Sequence, residues 1–319
     1  MRIGITLGDP RGIGLEVVRA ALSDRHFCEA VSFTVFGWEG ALAGTLSGGD
    51  RVRLEAVGRL PDPSRIGDRS AGEVAGRAIE RGIAAALAGD IDGLVTAPIS
   101  KAALGAAGYP FPGHTEFLRD RTETAEVTMM MAAESTPLGG PLRMALLTAH
   151  IPLREVPRAL TPELVRRRSR IAERALREWW GIARPRLAFG GVNPHASEDG
   201  RFGDEEERLI APAVEQLKAE GIDVAGIFPA DTVFGRCIAG KVDAVVLPYH
   251  DVGLAVIKTL ARDTGVNVTA GLPFPRTSPD HGTAFDIAGR GLADPGSMKA
   301  AIELCARFAE RAAPAASWR

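Results

Sequence analysis

Residues Asp243 to His250 read DAVVLPYH, and the four at their centre, Ala244 to Leu247, are all apolar. A run this short and continuous fits a strand buried on both faces, the situation of a parallel sheet covered by helices on either side. A helix-like stretch, VGLAVIKTLA, follows at once. The same pairing recurs along the chain: IGITL precedes GDPRGIGLEVVRAAL, DGLVT precedes APISKAAL, LRMALLTAH precedes TPELVRRRSRIAERALREWW, and RLAFGGVNPH precedes a helix opened by Asp204. FTVFG, RVRLEAV and EVTMMMAA add strands, AGEVAGRAIERGIAAALAG is a helix closed by Gly89, and Thr161 is placed to cap the TPELV helix. Strands alternating with helices throughout predict a doubly wound α/β fold.

In such folds ligands bind where the carboxyl ends of the strands open towards helix N-termini. Three of the six histidines fall there: His150, His195 and His250 each follow an apolar run. One histidine in that position is commonly structural, but three in the same context read as a metal site. Neutral imidazole suits borderline ions such as Zn²⁺, Co²⁺ or Ni²⁺, and three protein ligands leave the open position of a catalytic centre. His26, after SDR, has a surface-like setting.

Composition narrows the choice of neighbours. Of 38 basic residues only five are lysine and 33 are arginine, so this chain uses arginine as its generic surface cation. Lys258 and Lys101 therefore stand out. Lys258 lies eight residues beyond His250, roughly 80° around a helix, so the two share a broad face. The only asparagines, Asn193 and Asn267, lie in the same loops as the histidines. FPGHTEFLRD sets His114 and Thr115 at a helix start, where Thr115 is either a cap or a ligand. Asp251 could orient an imidazole, bind a substrate amine or cap its helix. Gly12 and Gly14 permit close approach of a cofactor or of the backbone itself.

The formal charge of −2 and pI near 6.3 leave no basic footprint for nucleic acid. Cys28, Cys237 and Cys305 are odd in number and lack CxxC spacing, which excludes a disulfide framework or cysteine zinc site. MRIGITLGDP turns too soon for a signal peptide's apolar core, and no run approaches the roughly 18 apolar residues of a membrane span. The expectation is a cytoplasmic protein.

GDPRGIG, TAPISK, FPGHTEFL, TAHIPL, GGVNPHASEDG, FPADTVF, LPYHDVGLAVIK and HGTAFDIAGRG occur in this order over nearly the whole chain. Together they resemble the 4-hydroxythreonine-4-phosphate dehydrogenase family of pyridoxal phosphate biosynthesis. The resemblance implies two α/β/α domains like those of isocitrate and isopropylmalate dehydrogenases, with a cleft between them, divided as 1–123 plus 277–319 and 124–276. It implies NAD or NADP and a divalent metal, zinc, magnesium or cobalt. It further implies a homodimer with a shared site, read as His150 and His195 of one subunit with His250 of the other. Substrate contacts are implied at His114, Thr115, Asp231, Lys258, Asn267 and Arg276, and Lys258 and Asp251 are the candidates for proton transfer. Arg276 would otherwise be ordinary surface charge. The HGTAFDIAG loop is similar to the adenosine-binding loop of isopropylmalate dehydrogenases, which assigns His281, Gly282 and Asp286, together with Gly12 and Gly14, to the cofactor. Leu15 departs from the proline common at that helix start. The implied reaction oxidises 4-(phosphooxy)-L-threonine to a β-keto acid that loses CO₂. Related enzymes act on phosphorylated four-carbon sugar acids or cis-dihydrodiols, and a metal-dependent hydrolase or aldolase without nicotinamide is the alternative from another class.

Overall fold

The computed structural model describes residues 1–24, 31–41, 51–60, 62 and 65–312. His26, Cys28 and the tail APAASWR, expected to fray, lie outside them. The chain divides into two compact units, Met1–Glu126 with Leu272–Arg319, and Val127–Gly271. The boundaries fall a few residues from the expected ones, and the shift matters: Arg276, expected in the second domain, belongs to the first unit.

In the first unit the strands are β1 (Arg2–Thr6), β2 (Ser32–Trp38), β3 (Val52–Gly58), β4 (Gly93–Thr96) and β11 (Arg276–Pro279), in the order β3-β2-β1-β4-β11 and parallel throughout. All four residues of β4, and Ile3 to Thr6 of β1, are buried, as their apolar runs require. The helices are α1 (Gly14–Leu22), α2 (Asp68–Ala88), α3 (Lys101–Ala106), α4 (His114–Arg121) and, at the far end of the chain, α10 (Gly296–Arg311). Gly89 closes α2 at φ 75°, as expected. The chain runs outward from β1 to β3 and then returns to β4 beside β1, so the ends of β1 and β4 form a topological switch point. GDPRGIG and TAPISK emerge there.

The second unit carries β5 (Thr128–Ala133), β6 (Leu142–Leu146), β7 (Arg186–Gly190), β8 (Asp223–Phe228), β9 (Ala244–Leu247) and β10 (Val266–Ala270), in the order β10-β5-β6-β9-β7-β8. The short connection between β5 and β6 forces an antiparallel pair, and β10 is antiparallel to β5; the remaining pairs are parallel. The helices are α5 (Val156–Ala159), α6 (Pro162–Glu178), α7 (Ala211–Ala219), α8 (Ala230–Ile238) and α9 (His250–Leu260). The Thr161 hydroxyl accepts the Leu164 N–H at 3.1 Å, the expected cap of α6. Met144, Leu146, Val245, Leu247, Leu254 and Ile257 form the core under α9. Helix α9 sits close to the sheet because Gly253 has no side chain: a Cβ there would lie 2.5 Å from Met144 Sδ and 2.7 Å from Leu247 Cδ1. That approach sets the height of His250 and Lys258 above the strand ends.

Candidate active site

Strand β9 inserts between β6 and β7, with Leu146 paired to Leu247 and Phe189 to Val246. The three histidine-bearing loops therefore leave three adjacent parallel strands. Leu147 N–H donates to Leu247 O at 2.8 Å and Thr148 Oγ1 donates to Pro248 O at 2.6 Å, which ties the first loop to the second. The rings of His150 and His250 come to rest with centroids 5.4 Å apart. His150 holds this place at φ 55°, a conformation L-residues rarely adopt outside functional or strained positions.

His250 opens α9, and its Nδ1 lies 2.7 Å from Asp251 Oδ1. A carboxylate only accepts, so Nδ1 carries the proton of this hydrogen bond, and in the neutral ring the lone pair is on Nε2. Asp251 Oδ2 accepts from the Tyr249 hydroxyl at 3.0 Å. The His250 and Tyr249 hydrogen bonds hold the Asp251 carboxyl below its usual range. No side chain caps α9, and the contact observed for Asp251 is the one with an imidazole. Lys258 is exposed on the same helix, Asp231 is exposed in the first turn of α8, and Asn267 sits half-buried on β10 with its Oδ1 sealed and without a hydrogen-bond partner.

The third histidine behaves differently. His195 begins a run of five non-glycine residues with positive φ: His195 55°, Ala196 53°, Ser197 71°, Glu198 43° and Asp199 55°. Left-handed backbone costs L-residues roughly 1–2 kcal/mol each and normally occurs singly. The turn brings the His195 ring to 6.0 Å from that of Phe202. Among the described residues no three His, Cys, Asp or Glu side chains are grouped to hold a metal ion. Within one chain the described geometry brings His150 and His250 together, while the left-handed turn carries the His195 ring beside Phe202.

In the first unit Arg276 is only 2% exposed, so the alternative reading of it as ordinary surface charge fails. Its Nη2 donates to Thr96 Oγ1 at 2.5 Å, across from β11 to β4. Burial pushes the guanidinium down to about 9, with Cys305 and Glu116 pulling it back up. It stays charged at neutral pH, and a buried cation favours an anionic partner. His114 and Thr115 lie in the first turn of α4, whose cap position is Gly113 rather than Thr115. The His114 Nε2 is sealed and has no hydrogen-bond partner. Burial first, and then the charge of Arg276, hold this imidazole well below its ordinary value.

A stability consequence follows. Below about pH 6.5 the unfolded chain takes up a proton at His114 that the folded chain refuses, so stability falls as pH drops from there towards the depressed folded value, by up to about 1.4 kcal/mol per pH unit. Above that window the term vanishes. His114→Gln is therefore expected to lose less melting temperature than wild type between pH 6.5 and 5; parallel curves for the two proteins would refute the depressed imidazole.

The glycine turn and the HGTAFDIAG loop of this unit touch. Ile13 N–H donates to Thr283 O at 3.0 Å, and a Cβ on Gly12 would lie 2.8 Å from the same oxygen. Arg11, ion-paired to Asp9 and Asp68, lies over the Phe285 ring at 5.3 Å, and Glu16 accepts the Gly289 N–H. His281 Nδ1 lies 3.1 Å from Gly282 O, its Nε2 is sealed without a hydrogen-bond partner, and Gly282 and Asp286 are exposed. At Gly14 the close approach is to the backbone itself, since a Cβ there would lie 2.3 Å from Leu7 O.

The chain matches the family description "Pyridoxal phosphate biosynthetic protein PdxA" over residues 49–305. A 4-hydroxythreonine-4-phosphate dehydrogenase from Caulobacter vibrioides is 43% identical over 97% of this chain and 98% of its own length. The chain belongs to the PdxA family. The crystal structure of a PdxA relative named 4-hydroxythreonine-4-phosphate dehydrogenase, from Klebsiella pneumoniae, superposes with TM-score 0.83 at 38% identity, covering 97% of this chain and 99% of that one. A terephthalate 1,2-cis-dihydrodiol dehydrogenase from Burkholderia xenovorans follows at TM-score 0.67 and 27% identity, covering 96% and 98%. A β-decarboxylating dehydrogenase from Thermococcus kodakarensis, at 14% identity and TM-score 0.54, shares the fold and shows nothing more than fold. Among the described residues no helix is long and apolar enough to cross a membrane.

Sequence reasoning passed over Tyr249 and Glu206. Tyr249 looks like a strand-end aromatic, and Glu206 is one of four successive acids, Asp204 to Glu207, that read as a charged helix start. No local signal separates Glu206 from its neighbours.

Proposed function

We propose that this PdxA protein is an NAD(P)-dependent, divalent-metal-requiring dehydrogenase that oxidises 4-(phosphooxy)-L-threonine to 2-amino-3-oxo-4-(phosphooxy)butanoate. The product loses CO₂ to give 3-amino-2-oxopropyl phosphate on the way to pyridoxine 5′-phosphate. The observation that carries the reading is end-to-end likeness to relatives of that name. The buried Arg276 cation and the unpartnered His114 Nε2 suit an oxyanion, phosphate or carboxylate, and the sealed Asn267 Oδ1 suits a donor such as the substrate's ammonium.

The donor set fits a borderline divalent ion: His150 and His250 would hold it, with His195 as the third ligand supplied by the second subunit of a homodimer. Such an ion makes a secondary alkoxide accessible near neutral pH. The contact between Gly12 and the Thr283 loop, and the sealed His281 Nε2, fit NAD or NADP, which accepts the hydride. Both oxygens of Asp251 are already engaged, so it orients His250, and Lys258, on the same helix, is assigned to proton transfer. Asp251→Asn is expected to weaken Co²⁺ binding about 10- to 100-fold without unfolding the exposed helix start; an unchanged calorimetric affinity would remove the orienting role.

The test is a panel of 4-(phosphooxy)-L-threonine, 4-phosphoerythronate, 4-phosphothreonate and a cis-dihydrodiol with NAD and with NADP, followed by absorbance of the reduced nicotinamide. The first substrate is expected to turn over fastest. Turnover confined to the sugar acids or the diol would reassign the substrate, and no reduction with any of them would reject the dehydrogenase reading.

A further inference from the structure

The left-handed turn His195–Asp199 cannot persist on its own backbone preferences, and the one buried acid beside it explains what holds it. Glu206 is 5% exposed at the start of a π-helical turn, Glu206–Ile210, that runs into α7. Its Oε1 accepts the N–H groups of Val192 and Asn193, each at 2.7 Å, on the approach to the turn. Its Oε2 accepts Asn193 Nδ2 at 2.9 Å and the hydroxyl of Ser197, inside the turn. Asn193 Nδ2 is steadied further by Glu205 Oε2 at 2.7 Å. One carboxylate thus binds the chain on both sides of His195. Burial alone would push its carboxyl up; the hydrogen bonds outweigh that and hold it below the ordinary value. Gly191 leaves it room, since a Cβ there would lie 3.0 Å from Oε1. π-helical turns concentrate at functional sites, where the wider coil redirects a side chain.

We propose that Glu206 is a positioning residue: it holds residues 192–199 in their left-handed path and thereby aims the His195 imidazole, touching neither substrate nor ion. The role rests on the reading of His195 as a ligand, and the experiment separates the two.

Full-length wild type, Glu206→Ala, Glu206→Gln, Ser197→Ala, His195→Ala and the double variant Glu206→Ala/His195→Ala are stripped of metal. Each is then titrated with Co²⁺ by calorimetry and visible absorption, and hydrogen exchange over residues 192–199 is measured without metal. Glu206→Ala is expected to speed exchange in that segment at least about 100-fold and to weaken Co²⁺ binding at least about 10-fold, the scale of outer-shell losses. The double variant should bind Co²⁺ no more weakly than His195→Ala, because the two changes act through one group. Glu206→Gln keeps the acceptor for the two backbone N–H groups and should recover part of both losses. Should Glu206→Ala not fold, the same comparison is made on Glu206→Gln and Ser197→Ala, each expected to loosen the segment and weaken Co²⁺ binding in step.

Faster exchange with wild-type Co²⁺ affinity, alongside weakened binding in His195→Ala, would overturn the aiming role and leave the ligand reading intact. Unchanged Co²⁺ affinity in His195→Ala itself would sink the ligand reading, and the aiming role with it.

Discussion

Refolding His150→Ala together with His250→Ala is expected to restore no activity, whereas mixing either variant with His195→Ala should return about a quarter of the wild-type sites. Each variant alone is expected to be inactive with its fold intact, since none of the three side chains lies in the core. The pattern follows from the proposed site, in which His150 and His250 of one chain, their rings 5.4 Å apart, would be completed by His195 of a second copy. In a mixed dimer of His195→Ala and His250→Ala, one site collects both lesions and the other collects none. Half of randomly paired dimers are mixed and one of their two sites is sound, which gives the quarter. In a mixed dimer of His150→Ala and His250→Ala every site keeps one lesion. The assay needs metal and nicotinamide, with heterodimers verified by mass. Restoration by His150→Ala with His250→Ala, and none by His150→Ala with His195→Ala, would place His150 and His195 in one chain instead. No restoration by any pairing would mean self-contained sites.

Arg276→Lys should raise the substrate KM about 30- to 150-fold, the equivalent of losing about 2–3 kcal/mol from a charge-assisted fork that an ammonium cannot reproduce. Nicotinamide affinity should hardly move. Because Arg276 is buried against Thr96, part of any loss reflects packing, and Thr96→Val isolates it by removing only the Oγ1 acceptor; its KM effect should stay below about tenfold. Inorganic phosphate should raise the melting temperature of wild type and not of Arg276→Lys, since a ligand that binds only the folded site stabilises it. Equal losses on phosphorylated and dephosphorylated substrates, with phosphate still stabilising the variant, would remove Arg276 from oxyanion recognition.

The strand ends that carry function were legible from residues alone, because burial on both faces leaves an unbroken apolar signature at Ala244–Leu247 and its counterparts. Gly89 and Thr161 were legible because caps are local hydrogen-bond problems with local solutions. Tertiary structure alone decided which histidines meet, since the insertion of β9 between β6 and β7 is a non-local pairing that no periodicity encodes. It decided that Arg276 is a buried cation on β11 rather than one of many surface arginines, because the desolvation that distinguishes it comes from strands and helices distant in sequence. It also decided the path of His195–Asp199: local preference argues against five left-handed L-residues in a row, and beside the turn's own backbone hydrogen bonds the carboxylate of Glu206, brought in from the next helix, binds the chain on both sides of His195.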